Sequence, residues 1–376
     1  MLEVIILIAY VILTLMLALI IRQLRRVKKQ FRAPHYTSHM ATEVDLPSVT
    51  VCIPARNEHH ALAACLDRVI ESTYARLEII VLDDVSGDDT SELIKAYASK
   101  GVRFVQGKAL PKGWLGKNHA LQGLLNEASG SYVLFLDVDT VLSNKAIEHI
   151  VRYSLSHRAS MVSVLPRRED SYRASALFSP LRYFWEILFH RRFWPATASS
   201  AWLIRRKVLL NRFNGFTGFK NAIQPETKLA AELAQTNEYR FLVGSHKFGV
   251  AYEKKWRSQL LTSVRLLFPL FNEQVAISII ALLDLALLFV PYVIIMSMFF
   301  VPFSWVHPVA VLLALGFAAT YGWYARQVWH SGWLAGAALW PYLLVQEAVL
   351  IVVSTIQYKR KAVTWKGRSI RPEAQS

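Results

Sequence analysis

Cysteine is nearly absent: Cys52 and Cys65 are the two in 376 residues. That is too few for a disulfide framework, and no cluster of Cys with His has metal-ligand spacing, so secreted-scaffold and zinc-finger classes are excluded. A reducing compartment is the expected surrounding. Charge is scarce too, at 19% against 53% hydrophobic residues, with a mean hydropathy of +0.28. A soluble domain carries more charge, so part of the chain is expected in a membrane. Acidic residues are the minority sign, 27 against 43 basic, for a net charge of +16. Taken alone, that excess suits nucleic acid or an anionic surface. No G-x-G-x-x-G follows the first predicted strand and no G-x-x-x-x-G-K-[ST] occurs anywhere, which argues against a dinucleotide enzyme or a P-loop ATPase.

Long apolar runs are what the chain does have. Val4 to Ile21 is 18 residues without a charge, followed from Arg22 to Arg32 by six basic and no acidic residues. This reads as an anchor at 1–21 with its C-terminal end in the cytoplasm, then a basic juxtamembrane linker at 22–45. Its charges follow the apolar run and no A-x-A site succeeds it, so a retained anchor is expected rather than a cleaved signal peptide. Three further passes are candidates near 275–301, 306–326 and 335–357. The tail at 358–376 carries six basic residues against Glu373 and is expected on the cytoplasmic side. An even number of C-terminal crossings is therefore required. The 275–301 segment contains Asp284 and Pro291, so it is expected to dip in and return or lie partly in the interface, while the last two segments cross as a hairpin.

Between about 46 and 258 the pattern is βα, and one domain of that size is expected. Val49–Ile53 and Glu78–Leu82 are short Val/Ile-rich runs, with Leu62, Leu66, Val69 and Ile70 at helical spacing between them. A helix at 89–99 with Asp88 or Asp89 as N-cap, a strand at Val102–Val105, a helix at 119–128 and a strand at Tyr132–Leu136 continue the alternation. The fold class is α/β, a Rossmann-like, mostly parallel sheet covered on both faces. Ligands are expected at the C-terminal strand ends.

Polar residues cluster at those ends. Strand one runs out into Pro54-Ala55-Arg56-Asn57-Glu58, strand two into Asp83-Asp84-Val85-Ser86-Gly87-Asp88, and the Tyr132–Leu136 strand into Asp137-Val138-Asp139. Asp137 and Asp139 offer hard oxygens suited to Mg²⁺ or Mn²⁺, or serve as a turn and cap pair. Asp83 and Asp84 can accept from a nucleobase N–H or a ribose hydroxyl, or cap the next helix. Lys112-Gly113-Trp114-Leu115-Gly116-Lys117-Asn118-His119 brings two glycines, cations and free N–H groups to a helix start, a setting for an anion such as diphosphate.

Together, in this order, these residues resemble family 2 glycosyltransferases of the GT-A fold over roughly 46–258. The 111–121 segment and Thr364-Trp365-Lys366-Gly367-Arg368 look more narrowly like the membrane-bound subgroup that glycosylates lipids, which includes carotenoid, hopanoid-associated and ceramide-type enzymes. The resemblance implies inverting transfer of one sugar from a nucleoside diphosphate sugar, expected to be a UDP-sugar, to a hydroxyl or carboxyl of a membrane lipid. It assigns Pro54, Asn57, Glu58, Asp83, Asp84, Lys117 and Asp137 to the nucleotide-sugar site and Asp139 with Asp137 to Mn²⁺ or Mg²⁺. Glu226 falls where the family's base Asp would, three residues before Leu229, although Pro225 and Glu226 also suit a helix start. His119, Trp256 and Arg257 are candidate acceptor or phosphate contacts.

The Q-x-x-R-W signature of processive synthases is missing; Lys254-Lys255-Trp256-Arg257-Ser258-Gln259 has Trp and Arg reversed. A processive polysaccharide synthase is thus the weaker enzymatic alternative, and a nucleotide-sugar-binding membrane scaffold the non-enzymatic one. Aromatics and arginines at 174–194 suggest a helix lying in the interface, and 259–273 a second, with 274–357 the C-terminal membrane region. The charge also finds an address: Arg22–Arg32 contributes +6 and Lys359–Ser376 +5, where anionic phospholipid headgroups attract them. No nucleic acid is needed. The expected setting is an integral protein of the plasma (cytoplasmic) membrane with catalytic domain and tail in the cytoplasm; the sequence is silent on oligomeric state.

Overall fold

The computed structural model describes residues 1–31, 45–169, 179, 181–252, 256–328 and 332–370. The chain divides into two compact units. One comprises Met1–Gln30, Arg168–Leu188 and Lys254–Ala362; the other comprises Phe31–Arg167, Phe189–Glu253 and Val363–Ser376.

The second unit is built on a seven-stranded sheet. Its elements begin β1 (Val49–Ala55), α2 (His59–Ile70), β2 (Leu77–Asp83), α3 (Thr90–Ala96), β3 (Val102–Gln106), α4 (Gly116–Glu127) and β4 (Tyr132–Leu136). They continue with β5 (Thr140–Leu142), α5 (Ala146–Ser156), β6 (Met161–Leu165), the two-residue β7 (Arg167–Arg168), β8 (Ala201–Arg205), α7 (Arg206–Asn211), α8 (Pro225–Gln235), β9 (Tyr239–Val243) and β10 (Val250–Tyr252). The order is β3-β2-β1-β4-β8-β6-β9. Strands β1, β2, β3 and β4 pair in parallel, as do β6 and β9, whereas β8 runs antiparallel to both β4 and β6.

Periodicity explains these elements. On α2, Leu62, Cys65, Leu66 and Val69 are buried at spacings of three and four, so one helix face meets the sheet. Strands β4 and β6 are buried along their whole length, as strands covered on both faces must be. After α3 the chain makes one 3₁₀ turn at Ala98–Lys100 and stops at Gly101, whose φ of 86° lies in the left-handed region that caps helices. The helix expected at 89–99 is thus divided: seven residues of α3, then that turn. Because β2 and β3 extend from one side of β1 and β4 from the other, the strand order reverses between β1 and β4. A cleft is expected at such a switch point.

The first unit is helical: α1 (Leu2–Phe31), α6 (Arg182–Leu188), α9 (Trp256–Leu270), α10 (Val275–Ser297), α11 (Val306–Val328), α12 (Trp333–Ala338) and α13 (Trp340–Lys359). Among the described residues four helical segments are long and apolar enough to cross a membrane: Glu3–Arg26, α10, α11 and α13. At about 1.5 Å per residue each reaches roughly 30 Å or more. Helices α1 and α11 run side by side in the same direction. Tyr10 donates its hydroxyl to the Val306 carbonyl at 2.6 Å, and Lys28 lies 5.4 Å from the Trp323 ring centre. Between those levels a Cβ on Gly316 would stand 2.7 Å from Leu17, so glycine permits the close approach.

Several expectations for this unit change. The helix does not end at Ile21 but continues through the basic segment to Phe31, since Arg and Lys are good helix formers; residues 32–44 of the expected linker lie outside the described residues. The 275–301 segment does not dip and return. It is one 23-residue helix with Pro291 inside it; losing one backbone hydrogen bond bends or loosens a helix without ending it. Of the interfacial helix expected at 174–194, residues 174–178 and 180 lie outside the described residues. The described helical part, α6, has seven residues and a buried Phe184, whose ring lies 5.0–5.8 Å from those of Trp185, Tyr321, Tyr324 and Trp340. Phe184 is thus core, whereas Phe189 and Phe193, which follow α6, are exposed. The 259–273 segment forms most of α9, whose Val264, Leu266, Leu267 and Phe268 are buried while Leu261 is exposed.

Candidate active site

The site is assembled at the C-terminal edge of β1, β2 and β4. Past β1, Arg56 donates to the carbonyls of Asp84 (2.5 Å) and Val85 (2.7 Å), tying the first tip to the second. Asn57 takes a φ of 51° and Val85 one of 54°. Asn57 accepts the Gly87 N–H on Oδ1 at 2.8 Å, while its own N–H donates to Ser86 Oγ at 2.9 Å. Such left-handed conformations in non-glycine residues persist only where the surroundings fix them, and functional sites are where they concentrate.

Asp83 and Asp84 are both 2% exposed. Oδ1 of Asp83 accepts the Ser86 N–H at 3.2 Å, so this carboxylate shapes the turn. The N-cap of α3 is Asp89, which makes no side-chain cap hydrogen bond; Asp88, one residue earlier, accepts from both the N–H and the hydroxyl of Thr90. Asp84 is left to other partners: its Oδ2 lies 2.7 Å from Nη1 of Arg368. Burial pushes the Asp84 carboxyl above its ordinary range, against the lowering effect of Arg368 and Arg56.

The third tip meets the start of α4. Lys117 Nζ lies 2.7 Å from Asp137 Oδ1, both side chains partly exposed. Asp139 is half-buried two residues on. Burial pushes the Cys65 thiol up to about 12, and the negative charges of Asp139, Asp137 and Glu58 add to the effect. Among the described residues no group of three or more His, Cys, Asp or Glu is placed to hold a metal. Asp137 and Asp139 fit Mg²⁺ or Mn²⁺ as two hard-oxygen donors whose remaining positions phosphate oxygens and water would fill.

Buried Asn118 fixes the fourth side. It donates to the carbonyls of Phe219 (2.8 Å), Lys220 (3.2 Å) and Ala222 (2.7 Å), and the Leu115 N–H donates to the Lys220 carbonyl at 2.8 Å. The loop leading to Gln224 and Pro225 is thereby held against the start of α4. Glu226 follows in the first turn of α8, 2% exposed. His119 packs edge-on to Trp114. Burial holds its imidazole below the ordinary range, opposed by Asp84 and reinforced by Arg368 and Lys108.

Three features lay outside the sequence reading. Arg56 and Asn118 organise the tips through backbone carbonyls, a role no residue pattern announces. The third is the hairpin of β11 (Thr364–Trp365) and β12 (Arg368–Ser369), which belongs with the strand tips. The tail's six basic residues do not all await headgroups, because Lys366 Nζ lies 2.8 Å from Glu58 Oε1 and Arg368 holds Asp84. Trp256 and Arg257 open α9 and belong to the helical unit.

Residues 50–213 match the model of Glycosyl transferase family 2. This stretch is a family 2 glycosyltransferase domain. A 4,4'-diaponeurosporenoate glycosyltransferase of Staphylococcus aureus is 29% identical over 141 residues, 36% of this chain and 36% of that protein. Glycosyltransferase GlyA of Streptococcus pneumoniae is 29% identical over 113 residues, 30% of this chain and 16% of that protein. The chain thus spans well under two thirds of either relative. A mannosyltransferase from Pyrobaculum calidifontis, solved with GDP-Man and Mn²⁺, superposes with a TM-score of 0.55 at 19% identity, over 94% of this chain and 98% of that one. At this identity the likeness establishes the GT-A fold.

Proposed function

We propose that the chain transfers one sugar from a nucleoside diphosphate sugar, preferentially a UDP-sugar, to a hydroxyl or carboxyl of a membrane lipid, with inversion. The observation that carries this reading is the joining of a family 2 domain, whose acidic tips and cations share one sheet edge, with four helices of membrane-crossing length in the same chain. The similarity to an enzyme named for a carotenoid acid supports a lipid acceptor. In this reading the catalytic region at about 46–258 works at the cytoplasmic face of the plasma membrane, anchored by α1 and the C-terminal helices.

Asn57, Glu58, Asp83 and Asp84, on the rim led by Pro54, line the nucleoside side. Lys117 neutralises the leaving diphosphate. Glu226 takes the proton from an acceptor hydroxyl as that oxygen attacks the anomeric carbon and the bond to diphosphate breaks. A divalent cation held by Asp137 and Asp139 would add electrostatic stabilisation of the leaving diphosphate. His119 flanks the donor near Asp84, and anionic headgroups hold the basic flank of α1.

The test is to incubate purified protein with Mn²⁺ or Mg²⁺, a panel of UDP- and GDP-sugars and a total lipid extract, then weigh the lipid products. One added hexose supports the reading. A ladder of additions would establish a polymerising synthase, and donor binding without turnover in any fraction would leave the scaffold.

A further inference from the structure

The C-terminal hairpin returns two cations to the strand tips. Arg368 Nη1 is 2.7 Å from Asp84 Oδ2, and Nη2 is 3.4 Å from the Asp84 carbonyl. Lys366 Nζ is 2.8 Å from Glu58 Oε1 and 3.2 Å from the Asn57 carbonyl, and the Lys366 carbonyl accepts from Arg56 Nε at 3.3 Å. Its turn is a left-handed pair, with φ of 49° at Lys366 and 78° at Gly367, the arrangement a two-residue hairpin loop favours. The Arg368 guanidinium lies against the start of α4: a Cβ built on Gly116 would stand 2.8 Å from Nη1 and 3.2 Å from Asp84 Oδ2.

Electrostatics makes this position informative. A guanidinium beside a helix N-terminus is repelled by the macrodipole, and here the Asp84 carboxylate offsets that repulsion. The same two carboxylates are those assigned above to the nucleoside. A donor carries its own anion, two phosphates joined to the nucleoside, and offers N–H and O–H groups that suit a carboxylate. When it enters, it can satisfy carboxylates and cations at once, whereas a bare nucleoside would satisfy the carboxylates alone.

We propose that Arg368 and Lys366 are donor-phosphate ligands, held by Asp84 and Glu58 until a nucleoside diphosphate replaces those pairings and the hairpin closes on it. This rests on the donor reading above. An Arg fork is suited to phosphate oxygens, and Lys adds a point charge.

Full-length protein in lipid nanodiscs with Mn²⁺ is titrated calorimetrically with UDP, UMP and uridine, and with GDP, GMP and guanosine. Arg368→Ala is expected to weaken the diphosphate of the preferred base about 10- to 100-fold, the scale of charge-assisted hydrogen bonds, and the nucleoside by less than about twofold. Lys366→Ala should show the same phosphate dependence at smaller size. Arg368→Lys keeps the charge and loses the fork, so it should recover part of the affinity, and it carries the test if Arg368→Ala does not fold. Equal weakening for nucleoside and diphosphate would mean that Arg368 only supports Asp84, which overturns the proposal, as does unchanged diphosphate affinity. Wild-type protein that binds none of the six compounds would instead refute the donor reading itself.

Discussion

Arg368 and Asp84 stand 284 residues apart in the chain, yet Nη1 of one lies 2.7 Å from Oδ2 of the other. Asp84 leaves β2 and Arg368 follows the last long helix, so this pair returns the end of the chain to the edge where the sheet begins. Lys366 and Glu58 make a second link at 2.8 Å. A hairpin that pairs with the strand tips shares their side of any membrane.

That relationship constrains topology. An even number of crossings must separate β10 from β11, although α10, α11 and α13 are all long enough to cross. Reporter fusions placed after Lys361 and near Ser304, between α10 and α11, are expected to give cytoplasmic and external signals respectively. An external signal after Lys361 would contradict the pairing of the hairpin with the tips.

Glu226 is assigned the proton transfer. Glu226→Gln keeps the shape and removes the base, so turnover should fall by about 10²- to 10⁴-fold while donor affinity, read by calorimetry, stays within about twofold. Near-normal turnover would remove Glu226 from the mechanism.

Asp139 and Asp137 are assigned the cation. Chelation is expected to abolish transfer and added Mn²⁺ or Mg²⁺ to restore it. Asp139→Asn should lower activity by about 100-fold or more at any metal concentration. Transfer by Asp139→Asn that is metal-dependent and of normal rate would place the cation elsewhere.

A pH-dependent stability term is visible at the other end of the sheet. Thr50 faces Glu78 in the β1–β2 register, and its hydroxyl donates to Oε2 at 2.5 Å, as do the N–H and hydroxyl of Ser129 at 2.9 Å. Burial opposes the charge, but the Thr50 and Ser129 hydrogen bonds, with Arg103, hold Glu78 below its ordinary range. The folded pKa lies below the unfolded one, so this stabilisation is complete above about pH 4.3 and is lost as pH falls through the lowered folded value. Thr50→Val, which also strips the Gly130 N–H of its acceptor, should cost about 1–3 kcal/mol at neutral pH. In thermal unfolding scans the gap to wild type should shrink below about pH 4; a constant gap would exclude the Glu78 carboxylate as its source.

Where spacing and composition carry the information, the sequence alone determined the protein. The alternation Val49–Ile53, Leu62–Ile70, Glu78–Leu82 encodes β1, α2 and β2, because burying both sheet faces requires those periods. The three acidic tips follow, since each terminates an apolar strand, and uncharged runs mark membrane-length helices by length alone. Tertiary structure decided what depends on partners remote in the chain. Pro291 and Asp284 made 275–301 look broken, but helical hydrogen bonding on either side carries α10 through. Phe184 could have faced lipid or core, because an apolar stripe is the same in both; the rings of Tyr321, Tyr324 and Trp340 resolve it for this residue. The basic tail was the largest difference. A run of cations is drawn to any anion, phosphate headgroup or carboxylate, and only folding that returned Lys366 and Arg368 to Glu58 and Asp84 determined which anions they meet.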